Sequence, residues 1–206
     1  GLGTADLLDQ GVAWVLNKAA LTIHRLPKLG ETIEIVTWHK GTRGFRSYRD
    51  YQIKLGDEIL VAATTLWLFI DVSQKKIRKP PADLSARYTF ETDNATHIDL
   101  DAWRPQKKVA PQREATITTR PSDYDHLGHV NNAVYLDYLE VLLAALPTGR
   151  AELKCLAIQY LSEVPVETAS IAAALEKSGG QHLFNISSIG IVHAAGVFET
   201  EDTEPC

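Results

Sequence analysis

An internal repeat is the sequence feature that most constrains how this chain can fold. The segment LTIHRLPKLGETIEI at Leu21–Ile35 reappears as LAIQYLSEVPVETASI at Leu156–Ile171, with one inserted residue. Further along each copy, ILVAA at Ile59–Ala63 is answered by IVHAA at Ile191–Ala195. Two unrelated β-hairpins also resemble each other locally, but here both the order and the spacing are kept. A repeat of this kind indicates two copies of one structural unit.

Both copies have the pattern of antiparallel strands, with β-branched and aromatic residues separated by Gly and Pro turns. In the first half, strands are predicted near residues 18–26, 31–39, 46–55 and 58–70. In the second half, they are predicted near residues 113–120, 153–162, 168–176, 182–188 and 191–199.

One helix is predicted from about Asn132 to Leu146, ended by Pro147 and Gly149. Its aliphatic residues go round every face, which is typical of a buried helix. A strand, a buried helix and four antiparallel strands describe a sheet curled around a helix, which is the hot-dog architecture. We therefore predict an α+β chain of two tandem hot-dog domains, each an antiparallel sheet wrapped around a long central helix.

The domain bounds follow from aligning the two copies. The strand that starts at Arg113 lies 43 residues before Leu156, whereas only 20 residues precede Leu21. The first domain, residues 1–72, is therefore expected to lack its first strand and part of its helix. Residues 73–110 are expected to form an interdomain linker, and residues 111–206 a second domain that carries the active site.

Composition excludes several classes of protein. The net charge of −5 argues against nucleic acid as the main partner. The longest apolar run, Val141–Leu146, has six residues, whereas a membrane-spanning helix needs ~18 or more. Two cysteines cannot build a disulfide framework or a Cys-rich metal site. No metal-ligand spacing occurs, so no metal or organic cofactor is expected.

The segment DYDHLGHVNN, Asp123–Asn132, is the most informative about chemistry. It leads into a helix N-terminus, where unpaired N–H groups and the peptide dipoles stabilise a polarised carbonyl oxygen. Gly128 allows a close approach to the backbone, and Asp125 would place a carboxylate beside the carbonyl carbon. The same pattern also fits a structural interpretation, in which Asp125 and Asn131 cap the helix and His129 belongs to the core.

The longer segment DYDHLGHVNNAVYLDYLE resembles the signature of hot-dog acyl thioesterases. The whole chain is similar to the fatty acyl-ACP thioesterases of bacteria and plant plastids, which are tandem hot dogs. Further matches to that family occur in order at Trp14–Leu16, Pro27 to Thr32, Thr37-Trp38, Arg49–Tyr51 and Leu66–Leu68.

The resemblance implies hydrolysis of fatty acyl-ACP thioesters to a free fatty acid and the carrier protein. Asp125, His129 and Glu163 would be the catalytic residues. Asp125 would activate water, or attack the thioester and form a transient anhydride. The remaining site residues fall into three groups: backbone N–H donors to the thioester oxygen at Gly128, His129 and Val130, supporting residues Asn131 and Asn132, and acyl-pocket residues Trp14, Trp67 and Phe69.

Two positions depart from the family's pattern. Leu127 stands where the family usually has a catalytic Asn, and Val164 replaces the Cys that follows the family's Glu. The Asp125–His129 segment looks more like that of single-hot-dog acyl-CoA thioesterases. Those enzymes, a hot-dog dehydratase and a non-catalytic acyl-binding module therefore remain alternatives.

The expected partner is acyl carrier protein with a phosphopantetheine-linked acyl chain. Carrier proteins of this kind are acidic, as the family resemblance implies, and the linker is rich in basic residues that could steer their approach. We expect a monomer or a homodimer of tandem hot dogs in a bacterial cytoplasm. The basic residues concerned are Lys75, Lys76, Arg78 and Lys79.

Overall fold

The computed structural model describes residues 4–82, 84, 90–144, 146 and 152–201. The chain divides into two compact units, Gly1–Trp103 and Arg104–Cys206. Residues 90–103, which the sequence assigns to a linker, thus lie in the first unit. Pro147 and Gly149, the predicted end of the helix, lie outside the described residues.

The first unit is built on four antiparallel strands in the spatial order β2-β3-β4-β1, with the short strand β5 paired to β4. A six-residue helix precedes β1, and its Leu7 packs against Val12, Phe69 and Leu84. The elements are α1 (Thr4–Asp9), β1 (Val12–Ile23), β2 (Glu34–Arg43), β3 (Arg46–Leu55), β4 (Glu58–Asp71) and β5 (Lys76–Ile77).

The second unit has five antiparallel strands in the order β7-β10-β9-β8-β6, and its helix α2 contacts β6 and β8. A single 3-10 turn, Pro121–Asp123, follows β6. The elements are β6 (Arg113–Thr118), α2 (Val134–Ala144), β7 (Leu153–Tyr160), β8 (Ser170–Ser178), β9 (Gln181–Ser188) and β10 (Ile191–Thr200).

The sequence repeat corresponds to a structural repeat. The strand order β2-β3-β4-β1 of the first unit matches the order β8-β9-β10-β7 of the second unit. Strands β1 to β4 therefore correspond to strands β7 to β10. Leu21–Ile35 spans the end of β1 and the start of β2, and Leu156–Ile171 spans the end of β7 and the start of β8. The hot-dog class predicted from the sequence is confirmed.

Two predictions about the elements need correction. Strand β1 begins at Val12, six residues before the predicted start, because it pairs with β4 along its whole length, from Val12 opposite Asp71 onward. The helix is not buried on every face, because its polar residues Asp137 and Glu140 are exposed to solvent. The apolar residue Val141 lies next to them and is exposed as well. Its buried residues follow helical spacing along one face: Tyr135, Tyr138, Leu139 and Leu142.

Gly196 allows β10 to pack tightly in the second unit. A Cβ at this position would lie 2.2 Å from the carbonyl oxygen of Ala157 and 2.6 Å from the ring of Phe184. Phe184 is fully buried and lies next to Phe198, 6.1 Å between ring centroids. The absence of a side chain at 196 is therefore what lets the core aromatic ring contact the strand.

We predict that Gly196→Ala lowers the free energy of unfolding by at least about 1–3 kcal/mol, since the new methyl group forces backbone or core to shift. Gly180→Ala is the matched control, because a Cβ there meets nothing within 4 Å and the backbone φ is outside the left-handed region. The control should change stability by less than about 0.5 kcal/mol. Urea unfolding of both variants measures the difference, and equal stabilities would contradict the packing argument.

Candidate active site

Asp123 closes the base of the loop that carries the predicted site. Its Oδ2 accepts hydrogen bonds from the backbone N–H of Arg120 (2.9 Å) and from the hydroxyl of Tyr138 (2.9 Å), and its Oδ1 accepts one from the Arg120 Nε (2.8 Å). Its backbone carbonyl accepts the N–H of Asn131 (2.8 Å). One buried residue thus joins the end of the 3-10 turn, the far side of the loop and helix α2.

The hydrogen bonds keep this buried carboxylate charged. Burial by itself would raise the pKa of Asp123, but the backbone N–H of Arg120, the Tyr138 hydroxyl and the Arg120 guanidinium hold that pKa below its usual range. Burial and the hydrogen bond to Asp123 also raise the pKa of Tyr138, so its hydroxyl stays protonated as the donor.

Asp125 is anchored through one of its two carboxylate oxygens. Oδ1 accepts the backbone N–H of Leu127 (2.9 Å) and that of His129 (3.3 Å). Oδ2 accepts no hydrogen bond from any residue in the described part of the chain. Gly128 has a left-handed φ of +78°, which explains why glycine suits this turn better than any L residue. The loop therefore holds the carboxylate in place and leaves one oxygen for chemistry.

A second segment brings Glu163 to the loop. The N–H of Val130 donates to the carbonyl of Val164 (3.1 Å), and His129 forms a β-bridge with Pro165. This pairing places Oε2 of Glu163 3.2 Å from Nε2 of His129. Both side chains are partly exposed, at 30% for His129 and 46% for Glu163, so a substrate can reach the pair.

The backbone N–H groups assigned to the thioester oxygen are all engaged within the protein. Gly128 donates to the carbonyl of Asp125 (3.1 Å), while the N–H groups of His129 and Val130 have the acceptors given above. Among the described residues, the N–H of Asn132 has no acceptor. The side chain of Asn131 binds the turn that leads into helix α2, with Oδ1 accepting the N–H of Ala133 at 3.0 Å.

Two tyrosines that the sequence analysis overlooked lie beside these groups. The hydroxyl of Tyr160 donates to the carbonyl of Asn132 (3.0 Å), and the ring of Tyr135 meets that of Tyr160 edge-on with centroids 5.2 Å apart. Burial raises the pKa of both hydroxyls, and the charge of Glu163 adds to the effect on Tyr135. A search for aliphatic residues misses them, although Tyr135 and Tyr138 share the spacing of one helix face.

The acyl-pocket residues lie in the first unit. Trp14 packs on Phe69 with ring centroids 4.9 Å apart, and Phe69 is buried. Trp67 is half-buried and donates its Nε1–H to the Thr65 hydroxyl (2.8 Å). A cavity of about 450 Å³ in this unit is lined by other residues, many of them polar, including Asp50 and Thr64. The role of the three aromatics in binding an acyl chain stays a prediction.

Two further features bear on ligands and membranes. Within the residues that the structure describes, no group of three or more His, Cys, Asp and Glu is arranged to hold a metal ion. Over the same residues, none of the helices has the length and apolar character needed to cross a bilayer.

The fold and site define a class: tandem hot-dog proteins with an Asp-x-x-x-His loop at the start of the second unit's helix. Two family models match the chain, the acyl-ACP thioesterase N-terminal domain over residues 1–88 and the acyl-ACP thioesterase C-terminal domain over residues 106–195. The chain belongs to the acyl-ACP thioesterase family.

Curated relatives agree with this assignment. The chain is 28% identical over 170 residues to a chloroplastic acyl-[acyl-carrier-protein] hydrolase of Cuphea viscosissima, covering 78% of this chain and 40% of that protein. It is 23% identical over 210 residues to a chloroplastic palmitoyl-acyl carrier protein thioesterase of Arabidopsis thaliana, covering 97% and 49%. The chain thus spans less than half the length of these two relatives.

Solved structures with the same fold include two thioesterases. The 12:0-ACP thioesterase of Umbellularia californica superposes with a TM-score of 0.81 at 19% identity, covering 98% of this chain and 80% of that one. An acyl-ACP thioesterase of Bacteroides thetaiotaomicron superposes with a TM-score of 0.79 at 19% identity, covering 98% and 82%. At this level of identity the likeness establishes the fold.

We predict that Asp123→Asn lowers the free energy of unfolding by about 1–3 kcal/mol at pH 7, since hydrogen bonds to a charged group are lost. Because the folded-state pKa of Asp123 is depressed, its contribution is fully present above the unfolded pKa of about 3.9. That contribution disappears as the pH falls through the lower pKa that Asp123 has in the folded state.

Urea unfolding at pH 7 and pH 3 measures this contribution, and the gap between wild type and variant should narrow at the lower pH. Asp137→Asn is the control, because Asp137 is 60% exposed and lies 3.5 Å from the same Arg120. An exposed ion pair of this kind contributes less than about 1 kcal/mol to the free energy of unfolding. A gap that stays constant with pH would show that the Asp123 carboxylate is not what stabilises the loop.

Proposed function

We propose that this protein hydrolyses fatty acyl-ACP thioesters to free fatty acid and carrier protein. One observation carries the proposal: a carboxylate with one anchored and one available oxygen, in Asp125, lies in the loop whose His129 contacts Glu163. Family membership supports the reaction class, and the relatives named above are described as acyl-ACP hydrolases or thioesterases.

The chemistry needs only water and the thioester. In one route Oδ2 of Asp125 removes a proton from water as the water oxygen bonds to the acyl carbon. In the other, Oδ2 itself attacks, the carbon–sulfur bond breaks, and water then opens the mixed anhydride. In both routes the pantetheine sulfur leaves as a thiolate and takes up a proton, and the acyl chain leaves as a carboxylic acid. The His129–Glu163 pair orients the attacking water or the carboxylate.

The carbonyl oxygen needs a hydrogen-bond donor as charge develops on it. The N–H of Asn132 is the proposed donor, because it has no acceptor among the described residues. The N–H groups of Gly128, His129 and Val130 would each have to break an internal hydrogen bond first. Asn132 thus takes the carbonyl-binding role that the sequence analysis gave to those three residues.

Leu127 replaces the family's Asn, and the structure suggests how the site works without it. The backbone N–H of Leu127 donates to Oδ1 of Asp125, whatever the side chain is. The leucine side chain is 51% exposed. Orientation of the Asp125 carboxylate therefore depends on loop backbone, and no side-chain amide is needed for it.

We predict that Asp125→Asn lowers kcat for acyl-ACP by at least about 100-fold, since the base or nucleophile is lost. Circular dichroism and thermal unfolding should show an intact fold, because an asparagine Oδ1 can still accept the two loop N–H groups. Asp137→Asn is the matched control and should keep wild-type turnover. Near-normal turnover of Asp125→Asn would move the chemistry to Glu163.

Isotope labelling separates the two routes. Under single-turnover conditions in ¹⁸O-water, a nucleophilic Asp125 acquires ¹⁸O in its own carboxylate after the anhydride is opened at that carbon. A general base leaves Asp125 unlabelled and puts the ¹⁸O only in the fatty acid, and so does an anhydride that water opens at the acyl carbon. Label found in the Asp125 peptide by mass spectrometry therefore identifies the nucleophilic route.

The proposed carrier-docking surface is the hairpin between β4 and β5. Lys75 lies in the turn that follows β4, Lys76 lies in β5, and Arg78 and Lys79 come directly after β5. Lys76 pairs with Asp71 in the strand register, and Arg78 lies 3.6 Å from the Asp71 carboxylate. This hairpin is exposed, and it gives an acidic chain a local positive field. We propose this hairpin as the docking site for acidic acyl carrier protein. We also propose the domain bounds expected above, with residues 90–103 grouped with the first unit.

A monomer or homodimer and a bacterial cytoplasmic location are part of the same proposal; the curated relatives named here are chloroplastic.

We predict that the double variant Lys75→Glu/Lys76→Glu raises KM for acyl-ACP and leaves kcat unchanged, because charge reversal weakens encounter with an acidic carrier. Wild-type kcat/KM for acyl-ACP should also fall more steeply with salt than that for a neutral thioester. The control reverses two exposed lysines elsewhere, Lys28→Glu/Lys177→Glu. Equal KM values in both double variants, with equal salt slopes for the two substrates, would leave the hairpin without a docking role.

A further inference from the structure

The site has an unused hydroxyl at the start of helix α2. Tyr135 lies in the first turn of the helix and is 2% exposed. Its hydroxyl makes no hydrogen bond with any residue in the part of the chain that the structure describes. Its neighbours differ in this respect, since Tyr138 donates to Asp123 and Tyr160 donates to the carbonyl of Asn132.

The position of Tyr135 relates it to the proposed carbonyl donor. Side chains on a helix lean back towards its N-terminus, so a residue in the first turn covers the backbone that precedes the helix. That backbone is Asn132, whose carbonyl is bound by Tyr160, the ring against which Tyr135 packs. The ring of Tyr135 thus packs on the tyrosine that binds Asn132, the residue whose N–H has no acceptor among the described residues.

The electrostatic environment keeps this hydroxyl a donor. Burial first, and then the charges of Tyr160 and Glu163, raise the pKa of Tyr135. A phenol that stays protonated is able to donate a hydrogen bond to a carbonyl oxygen and cannot act as a base in place of Asp125. Tyrosine hydroxyls serve as oxyanion donors in other enzymes, where they are aimed at the oxygen on which charge develops.

We propose that the hydroxyl of Tyr135 donates a hydrogen bond to the carbonyl oxygen of the bound thioester, alongside the N–H of Asn132. The inference rests on the proposed thioester hydrolysis and assigns a further catalytic residue to it. It gives an acceptor to a hydroxyl that has none among the described residues, next to two tyrosines whose hydroxyls already donate to protein groups.

The first test is Tyr135→Phe, which removes one oxygen atom and keeps the ring packing. Loss of one oxyanion donor lowers kcat by about 10²-fold or more. The melting temperature should stay at the wild-type value, since no hydrogen bond within the described protein is lost. Tyr48→Phe is the control, because it removes a hydroxyl of the first unit that donates to Asp101 (2.6 Å), and it should lower the melting temperature.

The second test asks whether Tyr135 contacts the carbonyl itself. Two pantetheine analogues are compared by equilibrium binding: a ketone, in which CH₂ replaces the thioester sulfur, and a thioether, in which CH₂ replaces the carbonyl. Wild type should bind the ketone more tightly, and Tyr135→Phe should lower that preference by about fivefold to tenfold, the scale of one hydrogen bond. Tyr48→Phe should keep the preference.

The outcomes distinguish a failure of this inference from a failure of the proposed function. An active wild type whose ketone preference survives Tyr135→Phe overturns the inference and leaves thioester hydrolysis standing, even where kcat falls. A wild type that releases no thiol from acyl-ACP overturns the proposed function and the inference together. A ketone preference that falls in Tyr135→Phe but not in the control variant supports the inference and the proposed function.

Discussion

The buried carboxylate of Asp123 is the interaction on which the second unit's site depends. It binds two donors of Arg120 and the hydroxyl of Tyr138, while its own carbonyl holds the N–H of Asn131. A charged group is tolerated there because every hydrogen bond to it favours the ionised form. The loop between Asp123 and Asn131 is thereby fixed at both ends, so its conformation is set before any substrate arrives. Preorganisation of this kind lets a short loop without regular structure hold the carboxylate of Asp125 in one orientation.

Glu163 joins the site through pairing of two chain segments rather than through proximity in sequence. The backbone of Val130 binds that of Val164, and the carbonyl of His193 on β10 accepts the N–H groups of Leu161 and Ser162. The connection between β7 and β8 is thus held on both sides. Its position brings a carboxylate to the imidazole of His129, so the strand order of the sheet decides which acid serves this site.

The distribution of donors separates structural from chemical roles in the loop. Most N–H groups of the loop hold the loop itself together, and those of Leu127 and His129 orient Asp125. In the proposed mechanism, this arrangement makes a side-chain amide at position 127 unnecessary. The N–H of Asn132 and the hydroxyl of Tyr135 are left for a ligand, and both lie where helix α2 begins. A carbonyl oxygen placed there would also benefit from the partial positive charge of the helix N-terminus.

The sequence by itself determined the repeat, the antiparallel strands and the long helix of the second unit, because these depend on local periodicity and residue type. It also predicted the segment Asp123–Asn132 as the place of chemistry and, through the resemblance to the family, Glu163 as a site residue. It misjudged the helix as apolar on every face, since aliphatic counts ignore exposed Asp137 and Glu140. It assigned carbonyl binding to the N–H groups of Gly128, His129 and Val130. Only the tertiary structure decided which N–H groups have acceptors and which hydroxyls do not, because hydrogen-bond partners such as Val164 and Tyr160 are distant in sequence and meet only when the sheet has formed.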